Sequence, residues 1–207
     1  WVVIPPSSRA GLVPSAREQR LLDAVKGLLA GDEAVLLNLQ PSVLPRYGQR
    51  DPWSVLAESI GVSADTERVI VERVATGPNT LGILRGQTIS ELQSDHLIAQ
   101  AVNGRQLYLP LPMVVRGGEP LMHVAPTIDR WLDPKWEREI ADVDGIAPFI
   151  EEVPIATAVV HHGNVRAVVI GSGGWLFSWA ADRAVSVGGN QVAMVNPGNS
   201  ELLLASV

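Results

Sequence analysis

"VRAVVIGSGGWLFSWAA" (Val165–Ala181) runs from an apolar strand through glycines into a tryptophan-bearing helix start. Strand, glycine turn and helix is where α/β proteins hold a phosphate or strain a nucleophile. Three templates test it. A dinucleotide fingerprint starting at Gly171 and Gly173 needs a third glycine at 176, where Leu176 stands. A phosphate loop needs Gly-Lys-Ser/Thr, yet the chain's two lysines are the distant Lys26 and Lys135. A nucleophile elbow around Ser172 needs glycine at 170, and that residue is Ile170. The stretch therefore reads as a tight strand-to-helix connection. Trp175 and Trp179, one helical turn apart, read as packing residues of a core or an interface.

Working outward, "PIATAVVHHGNVRAVVIG" (Pro154–Gly171) reads as two strands about His162-Gly163-Asn164, an antiparallel hairpin. At the other end of the chain, "WVVI" is a short buried strand stopped by Pro5 and Pro6. "PSAREQRLLDAVKGLLAG" follows with Ser15 as N-cap, Glu18 closing a capping box and Gly31 as the stop. Leu21, Leu22, Val25, Leu28 and Leu29 form one apolar stripe, with Val25 and Leu28 at its centre. "AVLLNLQ" (Ala34–Gln40) is a second buried strand, so strand, helix and strand signal a βαβ unit. These segments predict a three-layer α/β fold over residues 1–207. Its sheet is mostly parallel and flanked by helices, with the hairpin as an antiparallel addition. "DPWSVLAESIG" and "SDHLIAQAVNG" read as short capped helices, "RVIVERVA" as a half-exposed strand and "QLYLPLPMVV" as an extended edge.

Composition narrows the functional classes. Hydrophobic residues make up 46% of 207, enough for a packed core. The net charge of -6 provides no electrostatic footprint for nucleic acid. Without cysteine there is no disulfide, thiolate metal site or Cys nucleophile. His96, His123, His161 and His162 lack ligand spacing, and the last two fall on opposite faces of a regular strand. No metal or cofactor is expected. The chain begins at Trp1 inside a strand and ends in "NSELLLASV", read as an unfinished helix, so a domain of a longer protein is expected. No apolar run approaches the ~20 residues that span a bilayer.

Two groups of residues carry the remaining chemistry. Asp142 with Asp144, and Glu151 with Glu152, offer paired carboxylates for acid–base work or for a cation. "RYGQRDPW" carries Arg46, Tyr47, Arg50 and Trp53 after the second strand, where open α/β sheets bind ligands. Those four are the candidate recognition residues.

Several segments also resemble a known family in order along the chain. They are the first strand with "PSAREQRLLDAVKGLLAGDEAVLLNLQP", then "GQRDPWSVLAESIGV", then "DGIAPFIEEVPIATAVVHHGNVRAVVIGSGGWLFSW", and finally "VNPGNSELLLASV". Together they resemble the extracytoplasmic domain of gliding-motility-type (GldG-like) auxiliary proteins of ABC transport systems. The resemblance implies a flavodoxin-like or glutamine-amidotransferase-like fold in a membrane-anchored protein, outside the cytoplasm, with ABC permease and ATPase subunits as partners. It brings no catalytic residues. Where that family has "GDSDF" this chain has "GSGGW", and the amidotransferase cysteine is missing. The function expected is a non-enzymatic recognition or scaffold domain of such an assembly. Its rival is a hydrolase, or a sugar- or nucleotide-binding enzyme, using carboxylates at the strand ends. A deep cleft gathering Asp, Glu, His or Ser would mark the enzyme, and a shallow aromatic patch the module.

Overall fold

The computed structural model describes residues 1–6, 13–78, 80–92, 94–138, 147–181, 183–188 and 191–207. The first half contains β1 (Val2–Val3), α1 (Ala16–Ala30), β2 (Val35–Asn38), α2 (Pro52–Glu58), β3 (Ser63–Ala64), β4 (Val69–Gly77), β5 (Thr80–Leu84), β6 (Gly86–Ile89) and α3 (Leu97–Val102). Then come β7 (Leu107–Pro110), β8 (Val115–Arg116), β9 (Glu119–Val124), β10 (Arg130–Asp133), β11 (Val153–His161) and β12 (Asn164–Ile170). The chain closes with α4 (Ser178–Ala181), β13 (Ala184–Gly188), β14 (Gln191–Met194) and α5 (Pro197–Ala205).

The principal sheet has the order β1-β2-β12-β11-β9. Only β1 with β2 and β2 with β12 run parallel. β12 with β11, and β11 with β9, are antiparallel. Four smaller sheets, β10-β4-β5, β13-β14, β3-β8 and β6-β7, are antiparallel throughout. The expected three-layer, mostly parallel, flavodoxin-like or amidotransferase-like arrangement is thus overturned. The architecture is β-rich, with one small mixed sheet. The physical reason lies between Val62 and Ile150. A parallel pair needs a crossover of a dozen or more residues, usually a helix. That span has one six-residue helix among its described residues, so its strands pair with near neighbours as hairpins and ribbons. The β11–β12 hairpin is present, turning through His162 (φ +52) and Gly163 (φ +82).

The βαβ unit at the start forms as its residues dictate. Ser15 accepts the Glu18 N–H at 3.2 Å, and Gly31 closes α1 by donating to the last carbonyls. Leu22, Val25 and Leu29 are buried, whereas Leu28 is half-buried, so the stripe centres one residue away from the expected Val25–Leu28 line. All four residues of β2 are buried, and they alternate between two cores. Val35 and Leu37 join α1, α2 and β4 on one face of the sheet. Leu36 joins Val168, Ile170, Trp175, α3 and Leu202 on the other. Continuous apolar runs, not alternation, mark strands buried on both faces.

Candidate functional site

Three chain turns meet at the carboxyl ends of the parallel strands. Ile4-Pro5-Pro6 follows β1, Gln40 follows β2, and Gly171–Gly174 follows β12. Ile4, Pro5, Pro6, Gln40 and Gly174 of these turns, with Pro110 at the end of β7, Leu111 after it, Phe177 and Trp179, line an apolar crevice of about 400 Å³. Open α/β sheets place their ligand crevices at such strand ends. Here no Asp, Glu or His lines it. Trp179 is 55% exposed and Phe177 45%, while the Trp179 ring meets Tyr108 edge-on at 6.0 Å between centroids. Leu111 holds φ at +48, a left-handed conformation that costs a bulky residue of order 1–3 kcal/mol. Backbone strain of that size concentrates at ligand clamps and functional turns.

The floor of the crevice is a satisfied polar network. Trp175 is fully buried and donates its Nε1–H to Asn38 Oδ1 at 2.6 Å. Asn38 in turn donates to the Val3 carbonyl at 3.0 Å, tying β1 to β2. Asn199 donates to the carbonyls of Trp175 at 2.8 Å and Tyr108 at 3.0 Å, and accepts from the Tyr108 N–H. Ser172 is also fully buried and donates to the Pro110 carbonyl at 2.5 Å. That bond ties the glycine turn to the end of β7. The glycines around Ser172 answer to crowding: a Cβ on Gly171 would strike the Met113 carbonyl oxygen and lie 2.8 Å from Val115 Cγ2. Of the two tryptophans expected as core or interface packing, Trp175 belongs to the core and Trp179 is exposed at the surface.

Both arginines of the "RYGQRDPW" loop have partners within the chain. Arg46 forms a two-pronged pair with Glu137, its Nη2 at 2.8 Å from Oε2. Burial pushes the Glu137 carboxyl up, but the hydrogen bond and charge of Arg46 outweigh it and hold Glu137 below its ordinary value. Arg50 is paired with Glu58. Trp53 is 2% exposed and donates its Nε1–H to the buried Glu18 at 3.1 Å, so it presents no surface to a ligand. Tyr47 alone keeps an exposed ring without such a partner. Of the four candidate recognition residues, Arg46 and Arg50 thus form ion pairs within the chain, Trp53 lies in the core and Tyr47 is exposed. The preference of a tryptophan for its own helix's apolar face decided where Trp53 lies.

Asp51 caps α2 instead, its Oδ1 accepting the N–H groups of Trp53 at 3.0 Å and Ser54 at 2.9 Å. Burial pushes its carboxyl above the ordinary value of 3.8, opposed by those hydrogen bonds. A folded-state value above the unfolded one means that the native protein takes up the proton more readily. That contribution is present below the unfolded value and is lost as pH rises through the folded one. Asp51→Asn keeps the cap acceptor and removes the titration. Denaturant unfolding from neutral pH down to 3.8 is expected to show wild type gaining on the variant as pH falls. A gap that widens in the other direction would refute the assignment.

The remaining sequence candidates disperse. His161 and His162 do not lie on opposite faces, because the positive φ of His162 brings the rings to 4.1 Å between centroids. Both are exposed, and among the described residues no cluster of three metal-ligating side chains exists. His96 caps α3, its Nδ1 accepting from Ile98 N–H at 3.2 Å. Glu151 and Glu152 are exposed. Asp142 and Asp144 lie outside the described residues. The crevice residues Ile4, Pro5, Pro6, Pro110 and Leu111 were missed. Their signal is a strand closed by proline, as in "WVVIPP" and "LYLPLP".

No protein-family model and no curated protein matches the chain. Among solved structures the chain is similar to one described as the mmIFT52 N-terminal domain. The TM-score is 0.52 at 14% identity, covering 98% of this chain and 72% of that one. At that identity the likeness concerns the fold alone. No described helix is long and apolar enough to cross a membrane.

Proposed function

We propose that this chain is a non-enzymatic recognition or scaffold domain whose working surface is the crevice at the carboxyl ends of β1, β2 and β12. The supporting observation is its lining: exposed Trp179 and Phe177, three prolines and a strained Leu111, with no acidic side chain or histidine. A rigid, half-apolar aromatic platform is what protein-recognition surfaces use as an anchor. An enzyme at the same place needs an acid, base or nucleophile there, and the serine next to the turn is buried and bonded to a carbonyl. The gliding-motility-type resemblance suggests an assembly in which to look, with an ABC-type permease and ATPase as first partners and an extracytoplasmic setting.

The test joins binding to chemistry. A photo-crosslinking residue at Phe177, in cells that make the protein, is expected to trap a defined partner. Trp179→Ala is expected to abolish that crosslink while shifting stability by no more than about 0.5 kcal/mol, the scale of surface substitutions. Turnover of ester, phosphoester or glycoside substrates by wild type, lost in Ser172→Ala, would overturn the reading. So would a crosslink indifferent to Trp179→Ala.

A further inference from the structure

We infer that the outer edge of β5 is a docking surface for a second copy of this chain, which pairs with it antiparallel to give a closed dimer. β5 (Thr80–Leu84) is the outermost strand of the β10-β4-β5 sheet. Its sequence is "TLGIL", without charge or proline. None of its residues lines the crevice, so the two surfaces are separate.

The backbone of this edge is unspent. Arg73, opposite Ile83 in the β4–β5 register, sends its N–H to the Asp129 carbonyl on the β10 side at 2.8 Å. In an antiparallel ladder that makes Arg73 and Ile83 a non-hydrogen-bonded pair, so Ile83 turns its N–H and C=O away from β4. Leu81, two residues earlier and opposite Ala75, points its backbone the same way. No described backbone group meets these outward donors and acceptors. Such a row templates another strand, and native proteins blunt it with charge, proline or extreme shortness. The principal sheet shows those devices: β9 begins Glu119-Pro120, and β1 has two residues and is followed closely by Pro5-Pro6. β5 shows none of them. The register shift in the ribbon falls on β4 between Ala75 and Gly77, so β5 itself is regular. Leu81 is 66% exposed and Leu84 48%.

The register is what favours a copy of this chain over an unrelated strand. Antiparallel pairing about a two-fold axis at Gly82 sets Leu81 of one copy opposite Ile83 of the other, and the reverse. Both residues face outward, so each pair exchanges both of its backbone hydrogen bonds. Their side chains meet on one face as apolar cross-strand pairs. Gly82 then opposes Gly82 at the non-hydrogen-bonded position, where strands come closest, about 4.5 Å between Cα atoms. No side chain crowds that approach. On the other face Thr80 opposes Leu84, which covers the second exposed leucine. Charge fits as well. The chain carries a net charge of -6, and a strand without Asp, Glu, Lys or Arg sets no like charges opposite each other. A contact of this two-fold kind consumes both edges and stops at two copies.

Sedimentation equilibrium of the chain over a concentration series reads the association. A monomer–dimer equilibrium with no larger species is expected. Leu81→Lys places at an exposed position the residue that natural edges use against pairing. It should keep the far-UV spectrum of wild type and weaken dimerisation about tenfold or more. Disulfide trapping reads the register, and the absence of native cysteine leaves a clean background. Thr80→Cys together with Leu84→Cys should give a covalent dimer under mild oxidation. Neither single variant should, because the same position in the two copies lies roughly 13 Å apart along the paired strands, beyond the reach of a disulfide. A wild type that stays monomeric throughout would leave the edge to another protein's strand and overturn the pairing. So would dimerisation undiminished in Leu81→Lys, no covalent dimer from the double variant, or trapping of a single variant as efficient as that of the double.

Discussion

Trp175→Ala is expected to cost ~3–5 kcal/mol of unfolding free energy, the range for truncating a large buried aromatic. The side chain is fully buried beneath the crevice floor, packed in the core that includes Leu36, Ile170 and Leu202. Its removal leaves a cavity and also strands Asn38 Oδ1, whose partner is the Trp175 Nε1–H. Trp175→Phe separates the two effects. The ring volume is largely kept while the hydrogen bond is lost, so a smaller loss of about 1–3 kcal/mol is expected. Urea unfolding of the three proteins at neutral pH, at unchanged m-value, makes the comparison. A loss under about 1 kcal/mol for Trp175→Ala would mean that the tryptophan is not core.

Gly171→Ala should come next, at about 3 kcal/mol, the upper end of the usual cost of overpacking. The added methyl would press on the Met113 carbonyl oxygen, with Val115 Cγ2 at 2.8 Å and the Ile155 carbonyl oxygen at 3.2 Å. Those neighbours have little freedom to retreat. Gly171 itself donates to Ile155 O at 2.8 Å, and its carbonyl accepts from Met113 N–H at 2.7 Å. Gly173→Ala is the internal control. There the new methyl meets the side-chain end of Gln40, which can swing away, so a cost below about 1 kcal/mol is expected. Equal costs at the two glycines would show that the corner is set by backbone flexibility and not by close approach.

The comparison of Gly171 with Ser172 also shows how far residue patterns reach. The failed glycine templates already separated "GSGGW" from phosphate loops and nucleophile elbows, since those motifs are local and their chemistry requires adjacent residues. The crowding that demands Gly171 was invisible, because Met113 and Ile155 arrive from distant parts of the chain. The same division holds at Arg46 and Arg50. Their charges and place after a strand could be read, but Glu137, 91 residues beyond Arg46, had already claimed one of them.

What the sequence determined by itself was local. The capped helix α1, the buried runs of β2 and β12, and the hairpin turn at His162–Gly163 follow from caps, periodicity and turn residues within a few positions of one another. Tertiary structure decided the rest. Short strands such as β3, β6 and β8 take their direction from whichever neighbour lies within reach of a tight connection, so apart from the β2–β12 pair the strands beyond the first βαβ unit pair antiparallel. Exposure of Trp179, but not of Trp175 or Trp53, was settled there too. One helical turn on α4 or α2 fixes which way a ring points, but whether another element covers it depends on Pro110, Tyr108, Glu18 and Asn38, brought in from elsewhere in the chain.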